Sequence, residues 1–446
     1  MNFIKTPVIL YCITALAVAS GRSLAQDGDS NASESALTES FGPHLAAFLP
    51  KLQANDTNAA AAFWQEVNGN CPIVHRGAGD PGHCQVTFIW RGDAQTKRVS
   101  LLGGFPSGSL AAPLVRLGSS DVWFRTETHP SDARFQYVFQ VNGPEQIPFN
   151  SRALMEAMGK SPPRKDPFNA REFQGWSWVE LPDAPPQPWI KEQTGILRGK
   201  VTKTTFKSFT LKAEYPLSIY TPPGYGEKGN RCWLMVAFDA GFPTMELSLN
   251  NLLAAGRIPP LVVVGVGNIS GESRQRDLGG STQFGDFVAG ELVPWARTNY
   301  DVHADPDRTI VAGMSLGGFM AIFCGLHHSG TFGKVLALSP TLIVAPHQEE
   351  AIPVWAKEQP GLLARQFSTR PRLPLSFYFG VGRYETFLPF SMVYEARRLR
   401  DVLAAKEYPL NYAEWDGGHM EVCWRGQFAD GLMWLTSRPP TGRRTP

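Results

Sequence analysis

Charge of one sign is what this chain has least of. Forty-two Lys and Arg stand against 40 Asp and Glu, a formal charge of +2 at pH 7 over 446 residues. No segment gathers its basic side chains into a cluster, so the electrostatic footprint of a nucleic-acid-binding protein is missing. Beyond the N-terminus no run reaches 18 consecutive apolar residues, so no bilayer span is expected in the mature chain. There is no C-x-x-C, and no His/Cys cluster has zinc spacing, so neither a metal nor another cofactor is expected. Internal repeats are absent, which excludes a solenoid or propeller array.

What is there has ordinary globular proportions, with 43% hydrophobic and 18% charged residues. The length exceeds one ordinary domain and suggests two. Lys5, an apolar run over 8–19 and the small-residue patterns Ala17-Val18-Ala19 and Ser23-Leu24-Ala25 read as a signal peptide over 1–25. The chain is therefore expected to be exported, to the periplasm, where disulfides can form. Cys12 leaves with the leader. Cys71 and Cys84 flank a loop rich in Pro, Gly and Asp, and a bridge between them is expected. Cys232, Cys324 and Cys423 lie in apolar surroundings and read as buried thiols.

Residues 39–70 have a helical pattern. Short β-rich runs follow at 85–90, 99–102, 122–124 and 135–141, separated by Gly, Pro and Asp. That spacing predicts a small β-sandwich over 39–185. A Pro-rich bridge at 182–188 marks the boundary. From 190 to 440 strands alternate with helices. Strands are expected at 201–211, 215–220, 233–238, 261–266, 308–314, 334–338, 375–381 and 410–414. Helices are expected at 245–255, 284–298, 316–327 and 390–405. Apolar strands alternating with helices predict an α/β domain whose mostly parallel sheet is covered on both faces.

The strongest local signal is Gly313-Met314-Ser315-Leu316-Gly317-Gly318, between an expected strand and an expected helix. A turn this tight presents a serine hydroxyl as a nucleophile, and the glycines two before and two after it avoid backbone clashes. The N–H of Leu316 then lies at a helix start, where it can bind an oxyanion. A second oxyanion donor belongs on the loop after an earlier central strand, here Asp239-Ala240-Gly241-Phe242, with the Ala240 N–H as candidate. Serine needs a general base. His419, in Asp416-Gly417-Gly418-His419 after the last strand, stands where an α/β-hydrolase places it. The acid of the triad is expected to be Glu385, after the penultimate strand, with Asp416 beside the histidine as the alternative.

These motifs are similar to those of the enterochelin (enterobactin) esterases, α/β-hydrolases that cleave the tri-ester backbone of catecholate siderophores. The likeness rests on Phe238-Asp239-Ala240-Gly241-Phe242, Arg274-Gln275-Arg276-Asp277-Leu278, the Ser315 turn with Gly325-Leu326-His327 beyond it, and Gly382-Arg383-Tyr384-Glu385. It is most specific at Asp416-Gly417-Gly418-His419 followed by Cys423-Trp424-Arg425-Gly426, with Asp166-Pro167-Phe168-Asn169 upstream. The chain departs from the family at Ala240-Gly241, where Gly-Glu is usual, and at Asp277, where Glu is usual. The resemblance implies an N-terminal β-domain before the hydrolase and a small-molecule ester substrate, a catecholate siderophore free or iron-loaded. Such a ligand is anionic and aromatic, so Arg274 and Arg425 are expected to supply charge and Trp424 a stacking face. Two other functions remain open at this point. One is an exported feruloyl or acetyl polysaccharide esterase. The other is a non-catalytic siderophore- or glycan-binding protein.

Overall fold

The structure, a computed structural model, describes residues 40–437 except 43, 78–79, 104–110, 145–158, 228–230, 240–243, 343–360 and 387–390. The expected leader lies outside the described residues. The chain divides into two compact units. The first is Met1–Pro185 with Arg383–Pro389 and Asp416–Val422; the second is Pro186–Gly382 with Phe390–Trp415 and Cys423–Pro446.

The first unit begins with two helices, α1 (Leu49–Gln53) and α2 (Thr57–Val67). Asp56 caps α2 by accepting from the N–H groups of Asn58 and Ala59. Nine strands follow: β1 (Ile73–Gly77), β2 (Asp80–Arg91), β3 (Val99–Gly103), β4 (Ala111–Pro113), β5 (Val115–Arg116), β6 (Val122–Pro130), β7 (Arg134–Val141), β8 (Glu172–Phe173) and β9 (Trp176–Glu180). They form two antiparallel sheets, ordered β1-β2-β6-β5 and β4-β3-β7-β9-β8. Alternation along β2 explains how both faces of its sheet are covered. Cys84, Val86, Phe88 and Trp90 pack with Val99, Leu101, Phe135, Tyr137 and Phe139 of the other sheet. Ile89 points the opposite way, into a core shared with Phe63 and Trp64 of α2. Burying each such side chain stabilises the unit by about 1.5–3 kcal/mol.

The same alternation overturns the expected disulfide. Cys84 lies in the core between the sheets and Cys71 in the core beneath the helices. Both are buried thiols, and burial raises both above the ordinary thiol range. A 13-residue spacing in sequence says nothing about which face of a sheet each thiol meets.

The second unit is an eight-stranded sheet in the order β10-β11-β13-β12-β14-β15-β16-β17. Its strands are β10 (Lys200–Lys207), β11 (Glu214–Thr221), β12 (Trp233–Phe238), β13 (Leu261–Val266), β14 (Thr309–Met314), β15 (Lys334–Leu338), β16 (Ser376–Gly382) and β17 (Leu410–Trp415). β10, β11 and β13 pair antiparallel, and the strands from β13 through β17 run parallel. β13 through β16 are buried almost throughout, as a sheet covered on both faces requires. The helices are α3 (Met245–Ala254), α4 (Gly271–Leu278), α5 (Thr282–Phe287), α6 (Val293–Asn299), α7 (Leu316–His327), α8 (Leu362–Thr369), α9 (Met392–Ala405) and α10 (Glu421–Ser437). One helix was expected over 284–298. Instead a π-helical turn, Val288–Leu292, separates α5 from α6. Pro294, at the start of α6, has no N–H to donate, and the widened turn precedes it directly.

Candidate active site

β14 delivers its chain into the Ser315 turn. Ser315 has φ 56° and ψ −125°, and α7 starts at the next residue. A non-glycine residue held there stores roughly 1–3 kcal/mol of strain. Two glycines make the turn possible. A Cβ on Gly313 would lie 2.2 Å from the Gly317 carbonyl oxygen, and one on Gly317 would meet Asp239 Oδ2 and Phe238 Cβ at 3.2 Å. Backbone bonds hold the turn from outside. Ser315 N–H donates to the Leu338 carbonyl at 2.9 Å, and Thr341 N–H donates to the Ser315 carbonyl at 3.1 Å. Thr341 Oγ1 lies 3.4 Å from Ser315 Oγ, a neighbour that no sequence motif announces. Leu316 opens α7, so its N–H is one of the helix-start amides without an intrahelical acceptor.

The loops after β16 and β17 carry the other two residues, and both loops belong to the first unit. His419 Nδ1 lies 2.8 Å from Glu385 Oε2, with side-chain exposures of 9% and 0%. With Nδ1 engaged, Nε2 is the nitrogen left to exchange a proton. Asp416, the alternative acid, pairs with Arg383 instead. Burial pushes its carboxyl up, and the Arg383 guanidinium partly offsets that. The geometry thus distinguishes the two carboxylates: Glu385 meets the imidazole, and Asp416 ties one loop to the other.

On the second unit, Asp239 follows β12 with φ 62°. Its carboxylate accepts from Arg274 Nε at 2.8 Å, Arg274 Nη2 at 3.0 Å and Asn268 Nδ2 at 2.6 Å. Ala240 lies outside the described residues. The three side chains expected to face a ligand are all engaged within the protein. Arg274 is 12% exposed in its pair with Asp239. Trp424 is 7% exposed, and its indole N–H donates to Ser339 Oγ at 2.8 Å. Arg425 is 6% exposed, and its Nε donates to Gln187 Oε1 at 2.8 Å. Each thus has a partner within the protein. A motif signals that a residue type matters, and burial decides what for. Among the described residues no group of three or more His, Cys, Asp or Glu could hold a metal ion. No described helix is long and apolar enough to cross a membrane.

A serine on a strained strand-to-helix turn of a mostly parallel sheet, with acid and histidine following it in chain order, defines an ester hydrolase of the α/β-hydrolase fold. The family model described as "Putative esterase" matches residues 208–435, and the model "Enterochelin esterase, N-terminal" matches 85–190. The chain belongs to the enterochelin esterase family. It is 27% identical to the iron(III) enterobactin esterase of Dickeya dadantii (strain 3937), over 87% of this chain and 95% of that one. It is 24% identical to the iron(III) salmochelin esterase of Escherichia coli O6:H1, over 87% and 96%. The crystal structure of the Shigella flexneri enterobactin esterase determined in the presence of enterobactin superposes with a TM-score of 0.65 at 26% identity. It covers 84% of this chain and 97% of that one.

Proposed function

We propose that this protein is a serine carboxylic-ester hydrolase that opens the ester bonds of an enterobactin-like catecholate siderophore and so assists release of its iron. The observation that carries this reading is likeness over nearly the whole chain, including the N-terminal unit, to enterobactin esterases. An esterase domain alone would leave the substrate class open.

In this reading Ser315 Oγ attacks the ester carbonyl carbon while His419 Nε2 takes its proton. Glu385 holds the tautomer with the proton on Nδ1 and stabilises the imidazolium. The N–H groups of Leu316 and Ala240 bind the oxyanion. Collapse expels the alcohol, which takes the proton from His419 and leaves an acyl-Ser315 ester. Water, deprotonated by His419, then releases the acid and restores the serine. Each cycle converts one ester and one water to one acid and one alcohol. Iron enters as part of the substrate and takes no role in these steps. The apolar leader supports export to the periplasm, which N-terminal sequencing of the protein from that compartment would check.

The test is hydrolysis of iron-free and iron-loaded tri-catecholate ester by purified protein, with products separated by mass. Stepwise cleavage to linear trimer, dimer and monomer is expected, with Ser315→Ala about a millionfold slower. Hydrolysis of a feruloylated sugar with none of the siderophore would transfer the assignment to the polysaccharide esterases. Equal rates in Ser315→Ala would remove the serine mechanism.

A further inference from the structure

The two loops that carry the acid and the histidine are built into the N-terminal sandwich by contacts the reaction itself does not need. Tyr384 immediately precedes Glu385. Its side chain is one of the largest fully buried ones and belongs to the core between the two sheets. The ring packs against Phe135 of β7 and His129 of β6, with centroids 6.1 and 5.7 Å away. Its hydroxyl lies 3.2 Å from His129 Nδ1. Burial pushes His129 down to about 3, so the imidazole stays neutral and can share one proton with the phenol.

The histidine loop is held by the same strands. Tyr384 N–H donates to the Gly417 carbonyl at 3.0 Å, and Arg134 N–H of β7 donates to the Asp416 carbonyl at 2.9 Å. Gln136 N–H of β7 meets Met420 Sδ at 2.9 Å. Gln174 Nε2 donates to Glu421 Oε2 at 2.8 Å. Arg383 and Asp416 close the link between the loops. Tyr384, Asp416, Met420 and Glu421 are thus anchored to the sandwich, and Arg383 and Gly417 join the two loops to each other.

We infer that Tyr384 is a positioning residue for the Glu385–His419 pair, locking the acid loop into the sandwich core so that the carboxylate stays on the imidazole. This rests on the proposed role of that pair. A side chain locked by packing holds its neighbour within the few tenths of an ångström that proton transfer demands. Loosening the lock lengthens the Glu385–His419 bond, and the imidazole loses the partner that holds its orientation. The rate should fall while ground-state affinity stays the same.

The experiment compares Tyr384→Leu and Tyr384→Phe with the parent protein on a p-nitrophenyl ester. Tyr384→Leu is expected to lower kcat about ten- to a hundredfold with KM within about twofold. Inactivation by an organophosphonate at Ser315 should slow by the same factor as kcat. Tyr384→Phe keeps the ring but loses the hydroxyl contact with His129, and should lower kcat about two- to fivefold, less than the leucine variant. A folded Tyr384→Leu protein with parental kcat overturns the inference. If the leucine variant does not fold, the phenylalanine variant decides. A fall in kcat of that size with KM unchanged supports it, and parental kcat overturns it. Ser315→Ala keeps the two readings separate, since an active Ser315→Ala protein sinks the serine mechanism whatever Tyr384 does.

Discussion

The turn that presents Ser315 and the loops that present Glu385 and His419 are held in opposite ways. The serine turn is local. Six consecutive residues, two indispensable glycines and a strained backbone set it, and its hydrogen bonds are mostly main-chain. The acid–base loops are held by distant partners. Gly417 meets Tyr384, Asp416 meets Arg134 and Arg383, and Met420 meets Gln136. The turn is encoded where it stands, whereas the loops depend, through main-chain and side-chain bonds alike, on residues up to 284 positions away. The first is therefore vulnerable to any Cβ, and the second to losing one well-placed partner.

The contrast can be broken most severely at the carboxylate. Glu385→Gln should lower kcat on the order of ten-thousandfold, because the amide can favour the wrong tautomer of His419. Asp416→Asn should cost less than about tenfold, since it loosens a link between loops and leaves the imidazole's partner in place. Steady-state kinetics on one ester decide the order, and a larger loss in Asp416→Asn would exchange the two roles. Next comes the serine turn. Gly313→Ala would force its methyl to within 2.2 Å of the Gly317 carbonyl. A loss of about 3 kcal/mol or more is expected in a urea titration, together with loss of turnover. Parental stability would mean the turn can open without cost.

The smallest effect sharpens the comparison through pH. His129 is held neutral down to about 3, whereas in the unfolded chain it accepts a proton near pH 6.5. Its folded value is depressed, so its contribution is complete above about 6.5. It declines as pH falls from there towards 3. Each pH unit in that window removes about 1.4 kcal/mol. Thermal melts between pH 6 and 5 should show this slope, and His129→Gln should flatten it. An unchanged slope would assign the acid sensitivity elsewhere.

The same division explains what could be read from the chain. The parallel sheet was legible because β12 through β16 are short apolar runs between helical patterns. The serine turn was legible because its geometry admits few sequences. The histidine was found by its place after the last strand. Helix α10 escaped notice because Gly426 and Gly431 break a helical pattern. They are there for close approach, since a Cβ would meet the Gln187 side chain at 2.7 Å and the Tyr378 ring at 2.5 Å. The choice between Glu385 and Asp416 stayed open in the sequence, since both lie on expected loops and only the fold brings one to Nδ1. The surroundings of Trp424, Arg274 and Arg425 were hidden for a related reason. Burial is a property of the folded chain, and aromatic or cationic character alone does not reveal it. Tyr384 and His129 carried no signal, since a tyrosine beside an acid is unremarked until a strand 255 residues earlier supplies its partner.

The grouping of Arg383–Pro389 and Asp416–Val422 with the N-terminal unit also bears on the order in which the protein can be made. Domains generally mature from the N-terminus as the ribosome releases them, at about 5–20 residues per second. Here the first unit synthesised is not the first that can be completed. Its core waits for Tyr384, and its strand β7 waits for Met420. The sandwich must therefore wait half-built until nearly all of the chain has emerged, with buried aromatics such as Phe135 still short of a neighbour. A chain truncated before residue 384 would lose more than its own last helices, because it would leave the opposite end of the molecule unfinished.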